Sequence, residues 1–358
     1  MKPIQKRKLN TIELGHWKGF PPPQYIYGNR KYKGVAINPP SFVPGSWCGA
    51  GKALFDRQRD EYLLTSRPRV SKDNKRGYQA NIYASDDGIN YFHLVESLSK
   101  QEVMKITGID VKSIEGTQLL RDPGTNLWHF YISIDIGEEF VWGGLMWQTV
   151  LLTAPKLSGP WKSEGVILNN DQKYDEFQAR DGSIDIIDGK YYCIYKAKDK
   201  EKNRRPGLAT SIDGIHWKKE AALTTDGNDR CAFLSGSLFS ASGGPVFIGT
   251  EMIDRIDQNV EHENADKHAV KHGGSEVRFI AYKLDLKNLN LETLFRTKWK
   301  PSSPFEYQGH PLLGYSSSIL DLKNERFLMY MEAIDGTYTK KMGLNHTVER
   351  VLVYETKL

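Results

Sequence analysis

The sequence predicts an all-β fold, a five-bladed β-propeller with four-stranded blades around a central channel, on three observations. Gly, Tyr, Phe and Trp are abundant, at 32, 18, 14 and 8 residues in a chain of 358. Short β-branched or aromatic runs separated by Gly, Asp, Asn or Pro recur throughout, and only short segments such as Ser99 to Lys105 could make a helix. One strand-turn-strand unit also returns five times, which decides the architecture.

The first copy of the unit runs from Gly49 to Asp56 and from Glu61 to Arg67. The second runs from Glu115 to Asp122 and from Leu127 to Asp135. The third runs from Asp181 to Asp188 and from Lys190 to Lys196, and the fourth from Ser235 to Ser240 and from Pro245 to Glu251. The fifth runs from Tyr315 to Asp321 and from Arg326 to Glu332. Gly51, Thr117, Gly182, Gly236 and Ser317 are taken as equivalent, and their unequal spacing marks insertions on a common unit. Turns at Ser85-Asp-Asp-Gly-Ile-Asn-Tyr91, Ser158-Gly-Pro-Trp161 and Ser211-Ile-Asp-Gly-Ile-His-Trp217 would each join two outer strands, giving four strands per unit. The last unit ends at Arg350 to Glu355 with little chain left for a fourth strand. A strand from the segment of about residues 1–45 is therefore expected to complete it, within a single domain spanning 1–358.

A composition of 39% hydrophobic and 26% charged residues excludes disordered and collagen-like classes. Lys plus Arg is 49 against 44 Asp plus Glu, and a net charge of +5 without a local basic cluster points away from nucleic acid and anionic membranes. Cys48, Cys193 and Cys231 have no CxxC spacing, so neither a disulfide framework nor a zinc ribbon is expected and a reducing compartment is the simpler reading. No run approaches the ~20 apolar residues of a membrane span, and the basic start leads into no apolar leader core, so a cytoplasmic protein is expected. No metal or cofactor is expected, and the oligomeric state is left open.

In a propeller, first-strand starts and second-strand ends share one mouth of the channel. The starts contribute Trp47, Glu115, Arg180, Asp181, Ser235 and Tyr315, and the ends contribute Arg67, Arg69, Asp135, Lys196, Glu251 and Glu332. So many charges at one mouth are costly unless they pair or bind something polar. Asp56, Asp122, Asp188 and Asp321 at the opposite ends read as turn caps.

These units and turns, with the Asp-Gly-Lys-Tyr-Tyr hairpin at Asp188, resemble the glycosidase propeller superfamily of glycoside hydrolase families 43, 32, 117 and 130, from about Ser46 onward. The resemblance implies a carbohydrate substrate and catalytic carboxylates at first-strand starts. Glu115 and Asp181 hold such positions, whereas the first blade, where families 43 and 32 place an Asp, reads Trp47-Cys-Gly-Ala-Gly. An Arg-Asp-Pro triplet at Arg121 also occurs in family 32, but it falls at the far end of its strand and reads as a turn.

Glycoside hydrolysis requires one carboxyl as acid and one carboxylate as base or nucleophile. Glu115, Asp181 and Glu251 are the catalytic candidates, with Glu176 and Glu332 in reserve; for each the competing reading is a buried ion pair. Arg67, Arg69, Arg180 and Lys196 would orient carboxylates or sugar hydroxyls, or bind an anionic group such as a uronate or phosphate. Asp135 joins them, Trp47 offers a face for a sugar ring, and His310 could reach the site from before the fifth unit. The segment from Glu261 to His272 reads as a solvated loop or lid, its His268 and His272 at i, i+4 spacing notwithstanding. Three readings follow: a hydrolase of small oligosaccharides, a phosphorylase in which phosphate replaces water, and a carbohydrate-binding propeller without catalysis.

Overall fold

The computed structural model describes residues 20–49, 51–70, 76–137, 146–201, 203–229, 233–241, 244–254, 275–306, 315–335 and 348–358. Among them the chain is mostly β, with two short helices, Pro23–Asn29 and Lys100–Thr107. The second helix has a full capping box: the Ser99 hydroxyl accepts the Glu102 N–H while the Glu102 carboxylate accepts the Ser99 N–H. Gly108 ends it in the left-handed conformation at φ 72°.

The strands form antiparallel four-stranded meanders. The first contains Ala53–Asp56, Glu61–Ser66, Gln79–Ser85 and His93–Ser99, and the second Ser113–Arg121, Trp128–Asp135, Trp147–Ala154 and Lys162–Leu168. The third contains Gln178–Ile187, Lys190–Lys198, Arg204–Ser211 and Trp217–Ala222, and a single parallel pairing of Trp147 with Gln178 joins it to the second. The fourth contains Phe233–Ala241, Gly244–Asp254, Ser275–Asp285 and Asn290–Lys298. In the fifth, Ser316–Asp321, Arg326–Ile334 and Glu349–Lys357 are completed by Lys31–Ile37, which pairs with Glu349–Lys357.

Hydrophobic clusters fill the spaces between successive units. Leu63 and Ile82 of the first meet Leu119 and Phe130 of the second. Tyr131 and Leu151 meet Tyr191 and Cys193, Ile194 and Leu208 meet Phe247 and Ile280, and Ile248 and Phe279 meet Phe327 and Met329. A fifth cluster returns to the start, packing Leu328, Tyr330 and Val353 against Tyr62 and Leu64. Each fully buried large side chain contributes roughly 1.5–3 kcal/mol, so the faces between units carry most of the cohesion.

Turn chemistry explains the connections. Ile187 pairs with Lys190 across a two-residue loop in which Asp188 and Gly189 both have positive φ, 51° and 76°, the conformation that matches strand twist in tight hairpins. The Ser85 and Ser211 turns are alike: each Ser hydroxyl accepts the N–H of the glycine three residues on, Gly88 or Gly214. Asp87 accepts the Ile89 and Asn90 N–H groups, and Asp213 those of Ile215 and His216. At the far ends, Asp122 accepts from Thr125 and Asp321 from Asn324. Arg121 pairs with Asp56 at 2.7 Å, which leaves the Arg-Asp-Pro triplet at a turn, at the other end of its strand from Glu115.

Candidate active site

Two β-bulges build the centre. Ile114 pairs with Ile134 and Thr117 with Ile132, so Glu115 and Gly116 together oppose Ser133. Arg180 pairs with Lys196 and Ser183 with Ile194, so Asp181 and Gly182 together oppose Tyr195. A bulge re-aims a side chain out of the alternating pattern, and here it does so at the same place in adjacent units. The bulges make Glu115 equivalent to Asp181 and therefore Thr117 equivalent to Ser183, one residue beyond the sequence alignment of Thr117 with Gly182.

Asp181 is held in the left-handed region at φ 53°. Its Oδ2 accepts from Tyr315 Oη at 2.5 Å and lies 3.0 Å from Arg180 Nη1 and 3.2 Å from Lys196 Nζ, while its Oδ1 accepts the Gly116 N–H at 2.9 Å. Burial alone would raise this carboxyl, but Arg180, Lys196, Tyr315 and the Gly116 N–H outweigh it and hold the group well below the usual carboxylate range. Gly116 is required here because a Cβ at that position would run into the Asp181 carboxylate.

Glu115 faces Arg67, whose Nη2 donates to Oε1, and lies 3.9 Å from Arg180. Arg67 Nε and Nη1 are buried with no hydrogen-bond partner among the described residues. Arg180 also donates to Gln178 Oε1 at 3.1 Å and lies over the Trp147 ring at 4.8 Å. Asp135 accepts from Arg76 at 3.3 Å and from the Gly137 N–H at 3.1 Å; burial raises it in spite of these donors.

Glu332 approaches from the fifth unit, and burial together with the neighbouring Glu349 pushes its carboxyl well up despite Arg67 and Lys196. Glu349 accepts the Gly49 N–H at 3.0 Å, and burial brings it up to about 7 against the pull of Arg67 and Arg69. The centre thus holds one carboxylate kept ionised and a carboxyl pair in which protonation is favoured, the separation that acid–base chemistry needs. Beneath it, Lys52 Nζ lies 3.0 Å from the hydroxyls of Ser183 and Ser235 and 2.9 and 3.1 Å from the carbonyls of Gly236 and Ser316. It joins the first unit to the third, fourth and fifth. Burial, reinforced by Lys196, brings this ammonium down to about 7.

The structure therefore gathers Glu115, Asp181, Asp135, Glu332, Arg67, Arg180 and Lys196. Glu251 is directed elsewhere: it is 3.1 Å from Arg296 and accepts from Tyr282 Oη at 2.6 Å, toward the outer strands of its own unit. Glu176 pairs with Lys200 at 3.0 Å, half-exposed on the rim. The Trp47 ring is covered by the Arg69 guanidinium at 4.9 Å. His310, His268, His272 and Cys231 lie outside the described residues. Arg76, Trp147, Gln178, Glu349 and Lys52 were not expected from the sequence; the Gly49 and Gly116 positions are the only local signals that could have exposed part of this arrangement. A cavity of about 590 Å³ lies away from the carboxylates, among turn residues that include Asp87, Asn324, Arg326 and Lys357 at the opposite end of the strands.

No protein-family model and no curated protein matches the chain. Solved structures do. A family 32 β-fructofuranosidase of Bombyx mori in complex with sucrose superimposes with a TM-score of 0.54 at 11% identity over 92% of this chain, which spans 63% of that enzyme's length. An α-L-arabinofuranosidase from Lactobacillus brevis gives 0.54 at 13% identity, covering 88% of this chain and 92% of that one. A structure of family 130, described as mannoside phosphorylases that include glycoside hydrolases targeting β-1,2-mannosidic linkages in Candida mannan, gives 0.53 at 13% identity, covering 89% and 85%. At this identity the likeness concerns the fold, and in its fold the chain resembles the propeller glycosidase superfamily.

Proposed function

We propose that the chain is a five-bladed β-propeller that hydrolyses glycosidic bonds in a small oligosaccharide or glycan fragment. The closed circuit of five clusters between units supports the architecture. The observation that carries the function is the pair of equivalent bulges that bring Glu115 and Asp181 together among Arg67, Arg180, Lys196 and Tyr315.

Arg180, Lys196, Tyr315 and the Gly116 N–H hold Asp181 in place as a fixed negative charge that favours an oxocarbenium-like transition state. Glu115 then takes the proton of the attacking water, and a protonated carboxyl donates to the leaving oxygen as the glycosidic bond breaks. Arg180 and Lys196 orient Asp181, and Arg67 orients Glu115. Incubation of glycosides in ¹⁸O-labelled water tests the reaction: incorporation of the label into the released sugar supports hydrolysis, and no release from any oligosaccharide or aryl glycoside contradicts it.

One observation favours a second reading. The buried Arg67 Nε and Nη1 lack hydrogen-bond partners among the described residues, an arrangement suited to an anion such as phosphate beside Glu115. Phosphorolysis would yield a sugar phosphate only when phosphate is added; sugar release unaffected by phosphate rejects it.

A further inference from the structure

We propose that Glu332, reaching from the fifth unit into the space that Gly49 leaves in the first, is the proton donor of this centre. The inference rests on the hydrolase reading and names the acid that the reading requires.

The geometry begins at Gly49. Its carbonyl accepts the Arg67 N–H at 2.8 Å, its own N–H donates to Glu349 Oε1 at 3.0 Å, and a Cβ at this position would coincide with the Glu332 carboxyl group. Any side chain at residue 49 is therefore incompatible with the observed position of Glu332. Gly116 stands in the same relation to Asp181. The Glu332 and Asp181 carboxyl groups thus each sit over a glycine of a neighbouring unit.

The neighbours of Glu332 set its charge. Glu349 on the adjacent strand of the fifth unit and Asp181 of the third oppose a second negative charge, while Arg67 of the first unit and Lys196 of the third favour it. Lys52, Cys48 and Tyr315 also lie within its electrostatic reach. Burial and Glu349 prevail, so the protonated form of the carboxyl is favoured. In the step, the Glu332 O–H bond breaks toward the glycosidic oxygen as the bond from that oxygen to the anomeric carbon breaks. Water adds to that carbon, its second proton passes to Glu115, and solvent exchange returns the proton to Glu332.

The test compares glycosides of one sugar, one with a dinitrophenyl and one with an alkyl leaving group, across pH. Glu332→Gln is expected to slow the alkyl glycoside at least about 100-fold, to slow the dinitrophenyl glycoside less than about 10-fold, and to remove the alkaline limb of kcat/KM. Gly49→Ala is expected to act in the same direction by displacing the carboxyl. Equal slowing of both substrates with the alkaline limb intact overturns the proposal, as does leaving-group dependence that appears only in Glu115→Gln. Should Glu332→Gln not fold, Glu332→Asp decides by the same readouts, a displaced limb supporting the donor and an unmoved one rejecting it. A wild type inert on every glycoside overturns the hydrolase reading itself; an active wild type with an unmoved limb overturns the donor alone.

Discussion

Asp181 receives Arg180, Lys196, Tyr315 and the Gly116 N–H, so replacing it by Asn leaves two buried cations opposite a neutral amide. Breaking a buried pair from one side costs about 3–5 kcal/mol, and Asp181→Asn is expected to lose about that much in denaturant unfolding together with nearly all turnover. Glu349 gives a pH signature. Its folded value of about 7 lies above the 4.5 of an ordinary glutamate, so its contribution is fully present below pH 4.5 and is lost as pH rises to about 7. Glu349→Gln should flatten the fall in melting temperature across that window, a difference of up to about 3 kcal/mol at pH 8; parallel curves for the two proteins would reject it. Glu115, Asp181, Arg180 and Lys196 were legible because strand starts and ends can be read from repeats. Glu349 and Lys52 were not, since their partners lie hundreds of residues away and only the packing of the first unit against later ones brings them together.

At the scale of elements, the bulges govern. Short β-branched and aromatic runs revealed the strands, but they do not fix the pairing within a ladder, so the alignment of Thr117 with Gly182 fell one residue short of Ser183. The Ser-x-Asp-Gly turns were legible because a serine hydroxyl and an aspartate at fixed spacing satisfy neighbouring backbone N–H groups locally. Glu251 shows the limit of strand-level reading: its place on a second strand matches Glu332, yet Arg296 and Tyr282 draw it toward the outer strands. Gly116→Ala is predicted to force the Asp181 carboxylate aside, with a loss of about 1–3 kcal/mol in thermal unfolding and a larger loss of turnover. Unchanged turnover in that variant would separate the bulge from the chemistry.

For the whole molecule, closure joins first and last units. Tyr62 Oη donates to Asp321 Oδ2 at 2.5 Å, Tyr330 Oη donates to the Gly88 carbonyl at 2.7 Å, and Lys31–Ile37 adds the fourth strand of the fifth unit. Removal of residues 20–37 is expected to abolish cooperative unfolding, because it strips Phe20, Ile26 and Tyr27 from the cluster between the fourth and fifth units and exposes the edge of Glu349–Lys357. The central claim is that this closure exists to assemble a glycoside-cleaving centre at Glu115 and Asp181. It is tested most directly by measuring sugar release from a broad set of oligosaccharides and aryl glycosides by the wild type, Glu115→Gln and Asp181→Asn at equal folded concentration. The account predicts release by the wild type and a loss of at least about 100-fold in both variants; a detected activity retained in full by both would contradict it.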